Sequence, residues 1–345
     1  MDKIALLDTL ISEASCISAS VHIHPDGDAL GSGLALTSYL KSCRGKDAVL
    51  LVPDPVPDSL SFMLKDYSEG DVIVAATAPE KAFERIQESD LLFCLDCSSF
   101  TRAGDLMEPY LRNSSARKVI IDHHLNPEQD SFELVFSETE ISSACELLYR
   151  ILKEMPEIGG ITEKLPRPCL DSLLTGMTTD TNNFANSVFP STLSMASELI
   201  AAGVDRDRIL SELYNCYREN RLRLMAHLVG EKMKITPQGA AYMILDKETQ
   251  ERFDFQEGES EGFVNIPLSI KDVIMSIFLT AEEDRFRVSL RSKRGISANR
   301  FAMEYFNGGG HEMAAGGKLP YGTGMASPED AEAYILKVSG LFLKK

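Results

Sequence analysis

The sequence lacks any apolar run long enough to cross a membrane. Its apolar stretches, such as 91–95 and 119–121, are far too short, and the N-terminal residues Met1-Asp2-Lys3-Ile4 do not resemble a secretory signal. It also lacks a regular cysteine pattern, since the seven cysteines are scattered and an odd number does not suggest a disulfide framework. We therefore expect a cytoplasmic protein that does not bind a membrane.

Basic residues are scarce as well. Lysine and arginine total 35 against 52 aspartates and glutamates, which gives a formal net charge of −17. Such acidity argues against a protein that coats long DNA with a broad basic face. It leaves room for a small anionic substrate at a local basic site. The length of 345 residues and the hydrophobic content of 44% fit a globular protein of two domains.

Strand and helix patterns alternate through the first half of the chain, which predicts an α/β domain with a mostly parallel sheet covered by helices. The predicted strands are 18–23, 48–52, 72–75, 91–95 and 118–121, and the predicted helices are 1–18, 28–41, 79–88, 106–111 and 142–154. A helix-rich stretch follows, with helices expected at 191–202, 206–217 and 218–229.

The pattern changes after residue 232. Strands are expected at 234–235, 240–245, 273–280 and 285–290, with helices near 298–305 and 328–341. These elements predict a second, smaller α/β domain. We therefore divide the chain into a first domain at 1–217, a helical linker or hinge at 218–231 and a second domain at 232–345.

The loop after the first predicted strand is dense in metal-ligating side chains. His22, Asp26 and Asp28 follow that strand directly, and ligands of open parallel sheets bind beyond the carboxyl ends of the strands. The alternative is a plain turn, because Pro-Asp-Gly is a standard turn sequence and Asp28 could cap the next helix. On the loop alone the two interpretations weigh equally.

Three later segments carry similar chemistry. Asp96 follows the apolar run 91–95, although alone it is better explained as a helix cap or a turn. Asp122, His123 and His124 directly follow an apolar strand, where burial without partners would cost several kcal/mol, so a metal site is favoured there. Asp180 lies in a polar segment that fits a site and a polar helix end equally well.

The distribution of histidine decides between these interpretations. Five of the six histidines lie in these segments or in the glycine-rich segment described next. Imidazoles and carboxylates without thiolates favour Mn²⁺ over a zinc–thiolate site or an all-oxygen magnesium site. Because the carboxylates would repel one another, we expect two divalent ions that share Asp96, an arrangement suited to phosphoryl displacement. Cys94-x-x-Cys97 lacks a second cysteine pair, which favours a structural role.

Two features of the second domain indicate an anion site. In Asn307-Gly308-Gly309-Gly310-His311 the glycines let backbone N–H groups approach a phosphate, and a helix of small residues is expected to follow; a flexible loop is the alternative. Basic residues cluster between 285 and 300 with no acidic residue among them. Arginine suits bidentate phosphate binding, although Lys293 and Arg294 also fit a solvated edge strand.

In combination and order, these motifs resemble those of the DHH phosphoesterases. The matching residues are His22-x-x-x-Asp26-x-Asp28, Leu95-Asp96, Asp122-His123-His124 and Thr179-Asp180-Thr181. Arg291-Ser292-Lys293 and Gly308-Gly309-Gly310-His311 resemble the associated C-terminal substrate domain, and residues 261–268 fit the branch of nanoRNase/pAp phosphatases. The resemblance covers essentially the whole chain.

The resemblance implies a role for each matching residue. One ion would be held by His22, Asp26 and Asp96, and the other by Asp28, Asp96, His123 and Asp180. His124 would contact the scissile phosphate, as a general acid, and Asp122 would orient a histidine. A terminal phosphate would be held by Arg291, His311 and the amides of Gly309 and Gly310, with the active site in the cleft between the domains. His24, at a variable position of the family, receives no ligand role.

The function implied by the resemblance is hydrolysis of short RNA or linear dinucleotides to 5′-mononucleotides, and of 3′-phosphoadenosine 5′-phosphate (pAp) to AMP. A homodimer is one assembly that fits. Within the same chemistry, the alternatives are an exopolyphosphatase and a cyclic-dinucleotide phosphodiesterase. The alternative from a different class is a catalytically inactive, nucleotide-binding sensor.

Overall fold

The computed structural model describes residues 3–322, 325 and 327–343, and the chain divides into two compact units, Met1–Cys216 and Tyr217–Lys345. Both units are of the α/β class that the sequence predicts. No helix among the described residues is long and apolar enough to cross a bilayer. The separate linker at 218–231 stays a prediction.

The first unit is built on six parallel strands with helices packed against them. The strands are β1 (Cys16–Ser20), β2 (Asp47–Val52), β3 (Val72–Val74), β4 (Leu91–Leu95), β5 (Arg117–Asp122) and β6 (Leu134–Ser137), in the spatial order β3-β2-β1-β4-β5-β6. The helices are α1 (Lys3–Glu13), α2 (Gly27–Arg44), α3 (Pro79–Glu88), α4 (Gly104–Asn113), α5 (Ala144–Glu154), α6 (Arg167–Asp180), α7 (Pro190–Ala201) and α8 (Arg206–Tyr214). Strand β4 is buried along its whole length, which agrees with its unbroken apolar sequence.

The strand order places a crevice at the centre of this sheet. Strands β1 and β4 are neighbours, and the chain order runs outward from them in opposite directions. At such a switch point the loops after the two strands diverge, and ligands of doubly wound sheets bind there. His22 lies just after β1 and Asp96 just after β4, so the topology alone brings two of the predicted ligands to one edge of the sheet.

Element boundaries in this unit differ from expectation in a few places. Strand β6 is not predicted by the sequence, because its four residues are too few to show a pattern. Strand β1 ends at Ser20 rather than at residue 23, so the polar loop begins earlier. Helix α8 ends at Tyr214, three residues before the predicted end.

The second unit contains a mixed sheet of six strands. They are β7 (Lys234–Ile235), β8 (Ala240–Leu245), β9 (Met275–Ala281), β10 (Arg285–Ser292), β11 (Gly309–Gly310) and β12 (Ala314–Pro320), in the order β11-β12-β10-β9-β8-β7. Only β8 and β9 run parallel. The helices are α9 (Glu219–His227), which continues as a π-helical turn at Leu228–Lys232, α10 (Lys247–Arg252), α11 (Ala298–Tyr305) and α12 (Pro328–Phe342). Helices α11 and α12 cover one face of the sheet, and residues of α9 pack on the other.

The helix expected after His311 is wrong. The small residues there form β12, which pairs with β10 along its whole length. The glycines allow backbones to approach closely: a Cβ on Gly308 would lie 1.9 Å from the carbonyl oxygen of Gly316. Contacts with β10 and β11, rather than local helix propensity, therefore decide the conformation of this segment.

Candidate metal centre

His22 is oriented by its own loop. Its Nδ1 lies 2.7 Å from the carbonyl oxygen of Ile23, and because a carbonyl only accepts, Nδ1 carries the proton. Nε2 then faces two carboxylates, 3.4 Å from Oδ2 of Asp96 and 3.7 Å from Oδ2 of Asp26. A metal-binding histidine usually donates one ring N–H to a backbone carbonyl, as Nδ1 of His22 does, and directs its other ring nitrogen at the metal.

The start of helix α2 holds the next two carboxylates. Asp26 is the N-cap, with Oδ1 accepting hydrogen bonds from the amides of Asp28 and Ala29 at 3.0 Å, which leaves Oδ2 for His22. The alternative that Asp28 is the cap is therefore wrong. Asp28 is fully buried, and its two oxygens accept from the amides of Ala144 at 2.6 Å and Cys145 at 2.9 Å.

Those two amides belong to the first turn of helix α5. Ser143 caps that helix by accepting from the amide of Glu146 at 3.0 Å. A helix N-terminus offers unsatisfied N–H groups and a positive end of the helix dipole, and both stabilise a carboxylate. Sequence reasoning missed this support for Asp28. The Ser143-x-x-Glu146 pattern, typical of a helix start, is the signal that predicts the cap.

Asp96 and His123 meet between these groups. The Nε2 atom of His123 lies 3.3 Å from Oδ1 of Asp96, 3.6 Å from Oδ2 of Asp28 and 3.7 Å from Oδ2 of Asp180. Asp96 adopts a left-handed backbone conformation, with φ of 51°. Its Oδ1 is buried and has no hydrogen-bond partner among the described residues, which is costly unless a ligand occupies the space beside it.

Asp180 reaches the centre because helices α2 and α6 touch through glycine. A Cβ on Gly176 would lie 2.9 Å from the carbonyl oxygen of Gly27 and 2.3 Å from Sγ of Cys145. Only glycine therefore permits this approach. Asp180 is the last residue of α6, so the polar helix end and the candidate ligand are the same residue.

The candidate ligand atoms fall into groups that could each hold an ion. In three of them the atoms lie within 4.8 Å of one another: His22, Asp26 and Asp96; Asp28, His123 and Asp180; Asp96, Asp122 and His124. Ligands at about 2.1 Å from a shared divalent ion are separated by about 3.0–3.4 Å, near the observed spacings. The donor set, the spacing and the orphaned oxygen of Asp96 all fit divalent cations.

The electrostatics of the site agree with that fit. Burial alone would lower the pKa of His22 and His123, but nearby carboxylates, above all Asp96, raise these pKa values to about 9 and about 10. Burial and the charges of Asp96 and Asp180 raise the pKa of Asp28 well above its usual range. For Asp96, burial favours a higher pKa, yet its contacts with His123 and His22 hold the pKa well below the ordinary value. In the metal-free site, protons on these side chains thus supply the positive charge that bound metal cations would supply.

Asp122 and His124 pair with each other at the end of β5, and Nδ1 of His124 also lies 3.5 Å from Oδ1 of Asp96. Nδ1 of His124 lies 2.8 Å from Oδ1 of Asp122, and the amide of His124 donates to Oδ2 at 3.1 Å. Asp122 is completely buried, whereas a small part of His124 is exposed. Because a carboxylate accepts, Nδ1 of His124 carries a proton.

Two residues singled out by the sequence lie apart from this cluster. The backbone amide of His24 donates to Asp54 at 2.8 Å, and Nδ1 of the partly exposed His24 ring lies 3.5 Å from the same carboxylate. Cys94 is buried, and its Sγ donates to the carbonyl oxygen of Cys97 at 3.4 Å. Burial raises the pKa of buried thiols, which makes them poor nucleophiles.

The anion-site candidates lie in the second unit. Arg291 is the last arginine on a half-exposed face of β10, and its Nη1 donates to the carbonyl oxygen of Leu290 at 2.9 Å. The amide of Gly310 donates to Oδ1 of Asn299 at 2.9 Å, and that of His311 donates to the carbonyl oxygen of Ala314 at 2.7 Å. Gly310 therefore already has an acceptor within the protein, and Gly309 is the exposed member of the pair.

The other arginines of β10 are engaged with acids. Arg285 pairs with Glu282 at 2.7 Å, and Arg287 pairs with Glu257 at 2.6 Å. The basic run that the sequence shows between 285 and 300 is thus partly neutralised by acids outside that run. Lys293 donates to the carbonyl oxygens of Ile270 and Lys271, so its ammonium group has a local structural role.

Comparison with known proteins identifies the family to which the chain is similar. A model of the DHH family N-terminal domain matches residues 17–177, and a DHHA1 domain model matches residues 239–342. The chain is 30% identical over 321 residues to the bifunctional oligoribonuclease and PAP phosphatase NrnA of Bacillus subtilis (strain 168), covering 92% of this chain and 91% of that protein. The Thermus thermophilus protein of the same name is 29% identical, with 88% and 84% covered.

Two further relatives bear on the alternatives. The crystal structure of an exopolyphosphatase-related protein from Bacteroides fragilis is 37% identical, with a TM-score of 0.87 and coverage of 99% of this chain and 98% of that one. The cyclic-di-AMP phosphodiesterase PdeA of Listeria monocytogenes is 26% identical, but the match covers 91% of this chain and only 46% of that protein.

Proposed function

The chain belongs to the DHH family of phosphoesterases, with a C-terminal DHHA1 domain, and we propose that it hydrolyses short oligoribonucleotides and linear dinucleotides to 5′-mononucleotides and pAp to AMP. The observation that carries this proposal is the convergence of His22, Asp96 and His123 at one sheet edge. The names of the relatives from Bacillus and Thermus support the substrate class.

The proposed cofactors are two divalent ions, Mn²⁺ by the chemistry of the donors. His22, Asp26 and Asp96 would hold one ion, and Asp28, Asp96, His123 and Asp180 the other. When bound, the ions supply Lewis-acid activation of the hydrolytic reaction and neutralise charge on the phosphoryl group. The amides of α5 keep Asp28 in place, and the carbonyl of Ile23 keeps Nε2 of His22 directed at the ligands.

His124 is the proposed proton donor to the leaving oxygen. Its Nδ1 donates to Asp122, which fixes the orientation of the ring, and Nε2 is the atom proposed to transfer the proton. The burial of Asp122 excludes water from this pair and strengthens the interaction.

Arg291 and His311 are the proposed contacts to a terminal phosphate, with the amide of Gly309. Gly310 is not one of the proposed phosphate contacts, because its amide donates to Asn299. Its role in this proposal is to fix the conformation of the loop. Within its own unit, Arg291 lies on the same face of β10 as Ser289, so the surface of the strand beside Arg291 is polar. Arginine is suited to such a site because its planar donors match two phosphate oxygens.

The first experiment measures product release from a 5′-labelled ladder of two- to five-nucleotide RNAs, pApA, pAp and polyphosphate, each with Mn²⁺ and with EDTA. Mn²⁺-dependent release of mononucleotides and conversion of pAp to AMP are the expected results. An Asp96→Asn variant, which keeps the side-chain volume, should lose both activities. Equal turnover in EDTA would refute the metal-dependent mechanism.

The alternatives predict other patterns in the same experiment. Cleavage of polyphosphate alone would favour an exopolyphosphatase, an activity suggested by the name of the Bacteroides relative. A cyclic dinucleotide is added to the panel, and its cleavage in preference to linear dinucleotides would favour the chemistry named for the Listeria relative. Nucleotide binding without turnover would favour an inactive sensor. Light scattering on the same preparation tests the proposed homodimer.

A further inference from the structure

Arg102 is an exception among the arginines of the first unit. Of the nine arginines there, seven pair with carboxylates: Arg44, Arg85, Arg112, Arg117, Arg150, Arg167 and Arg208. The eighth, Arg206, donates to Oδ1 of Asn183 at 2.7 Å. Arg102 makes no side-chain hydrogen bond or ion pair with any residue that the structure describes. Each of the other eight arginines of this unit has a polar side-chain partner.

The backbone of Arg102 is fixed beside the metal centre. Its carbonyl oxygen accepts a hydrogen bond at 2.8 Å from the amide of Ile23, the residue that follows His22. Two residues down the chain, a Cβ on Gly104 would lie 2.5 Å from Cγ2 of Ile23, so the two loops are closely packed. The side chain of Arg102 therefore starts from a backbone position at the edge of the candidate site.

The turn that carries Arg102 is rigid. It is a 3₁₀ turn, Phe100–Ala103, whose first and last residues are buried. The ring of Phe100 stacks on that of Phe132 with centroids 4.7 Å apart. Arg102 itself is half-buried, and its backbone is held in place. Because the backbone is already ordered, only the side chain has to be ordered when the guanidinium binds a ligand.

The charge of Arg102 reaches the ligands. The guanidinium lies close enough to interact electrostatically with His22, and also with Cys94 near the end of β4. The guanidinium thus lies within electrostatic range of the inner side of the site as well as of solvent.

A phosphoester centre needs such a cation. Five aspartates surround the candidate ions, and their combined charge repels an incoming phosphate unless other cations compensate. An arginine that makes no ion pair with the described residues keeps its N–H donors for the substrate. Its contribution grows in the transition state, when negative charge on the phosphoryl oxygens increases.

We propose that Arg102 binds a non-bridging oxygen of the substrate phosphate at the metal centre. The inference rests on the proposed function of that centre in phosphoester hydrolysis. It concerns the reacting phosphate, and it is separate from the terminal phosphate assigned to Arg291.

The test compares Arg102→Ala and Arg102→Lys with Arg150→Ala, a control that removes the same charge from a surface pair with Glu138. Three quantities are measured for each full-length variant: the affinity for Mn²⁺ without substrate, the inhibition constant of inorganic phosphate, and kcat/KM for pAp. Arg102→Ala should weaken phosphate inhibition at least tenfold and lower kcat/KM about 10²-fold, as removal of one oxyanion donor does. Arg102→Lys should recover part of both losses, and the control should match the wild type.

Metal affinity separates a substrate contact from a structural role. Removing a cation near the site should leave Mn²⁺ affinity unchanged or increase it, whereas a loosened loop beside His22 would decrease it. Weaker Mn²⁺ binding by both Arg102 variants with unaltered phosphate inhibition would overturn the inference, as would a kcat/KM within twofold of the wild type. If the wild type hydrolyses no phosphoester but phosphate binding still depends on Arg102, the proposed function fails and the anion site stands.

Discussion

Replacing Asp122 with asparagine tests how the protein controls its proposed proton donor. In the wild type both oxygens of Asp122 accept hydrogen bonds from His124, one from Nδ1 at 2.8 Å and one from the backbone amide at 3.1 Å. Asparagine has one acceptor and one donor group. Because the backbone amide of His124 cannot change its proton, the asparagine oxygen should face it, and the asparagine NH₂ group should face Nδ1.

The expected consequence is a different protonation of His124. Nδ1 must accept from the asparagine, so the imidazolium loses both its charged partner and one of its hydrogen bonds. A hydrogen bond to a charged group contributes about 1.5–3 kcal/mol. If that energy is lost in the transition state only, kcat falls about 10- to 150-fold, while KM changes little.

The assay is steady-state kinetics at saturating Mn²⁺ with a dinucleotide, together with an activated diester whose leaving group needs no proton. The defect of Asp122→Asn should be large for the dinucleotide and small for the activated diester, because only the first leaving group depends on the acid. Asp47→Asn is a suitable control, since Asp47 is an exposed residue paired with Arg85. Equal defects on both substrates, or a kcat within twofold of the wild type, would refute the role of the pair.

Three further predictions follow from the geometry. At pH 7 the metal-free site holds protons on His22 and His123, whose pKa values are about 9 and about 10, so Mn²⁺ must displace them. The affinity for Mn²⁺ should therefore rise from pH 6 to pH 9. Calorimetry in buffers of different ionisation enthalpy should detect the release of protons on binding. Gly176→Ala should destabilise the fold by about 1–3 kcal/mol in urea unfolding, because its Cβ would overlap α2 and Cys145. Asn299→Ala should raise KM more than it lowers kcat, because it frees the glycine-rich loop from its hydrogen bond.

Each of these predictions has a control. For the metal, a pH-independent affinity would show that the imidazoles are not the displaced groups. For the glycine, Gly340→Ala in α12 meets no atom within 4 Å and should be neutral or stabilising by up to about 1 kcal/mol. For the loop, Asn299→Asp keeps an acceptor for the amide of Gly310, and a KM equal to that of Asn299→Ala would contradict the hydrogen-bond explanation.

Much of the fold was accessible from local patterns. The five strands predicted in the first unit are present, because apolar runs that follow helix patterns at βαβ spacing have few other solutions. The failures occur where neighbours outweigh local preference. The segment after His311 is rich in small residues that suit a helix, but β10 and β11 offer it a complete set of backbone partners. Strand β6 is likewise defined by its pairing with β5.

The sequence by itself determined which chemistry the protein carries. The order of histidines and aspartates after apolar strands sufficed to predict their position at one edge of a sheet, because the carboxyl ends of parallel strands face the same way. That inference needs no knowledge of which strands are neighbours. It therefore survives errors of a few residues in the strand boundaries.

Only the tertiary structure decided how those groups are held. Asp28 is bound by amides 116 and 117 residues away, and Asp122 is bound to His124 rather than to His123. Nor does the sequence show that the side chain of Arg102 has no partner among the residues that the structure describes, since acids are abundant throughout the chain. Hydrogen bonds and ion pairs depend on distances of a few ångströms between segments remote in sequence, and those distances exist only once the helices and the sheet have packed together.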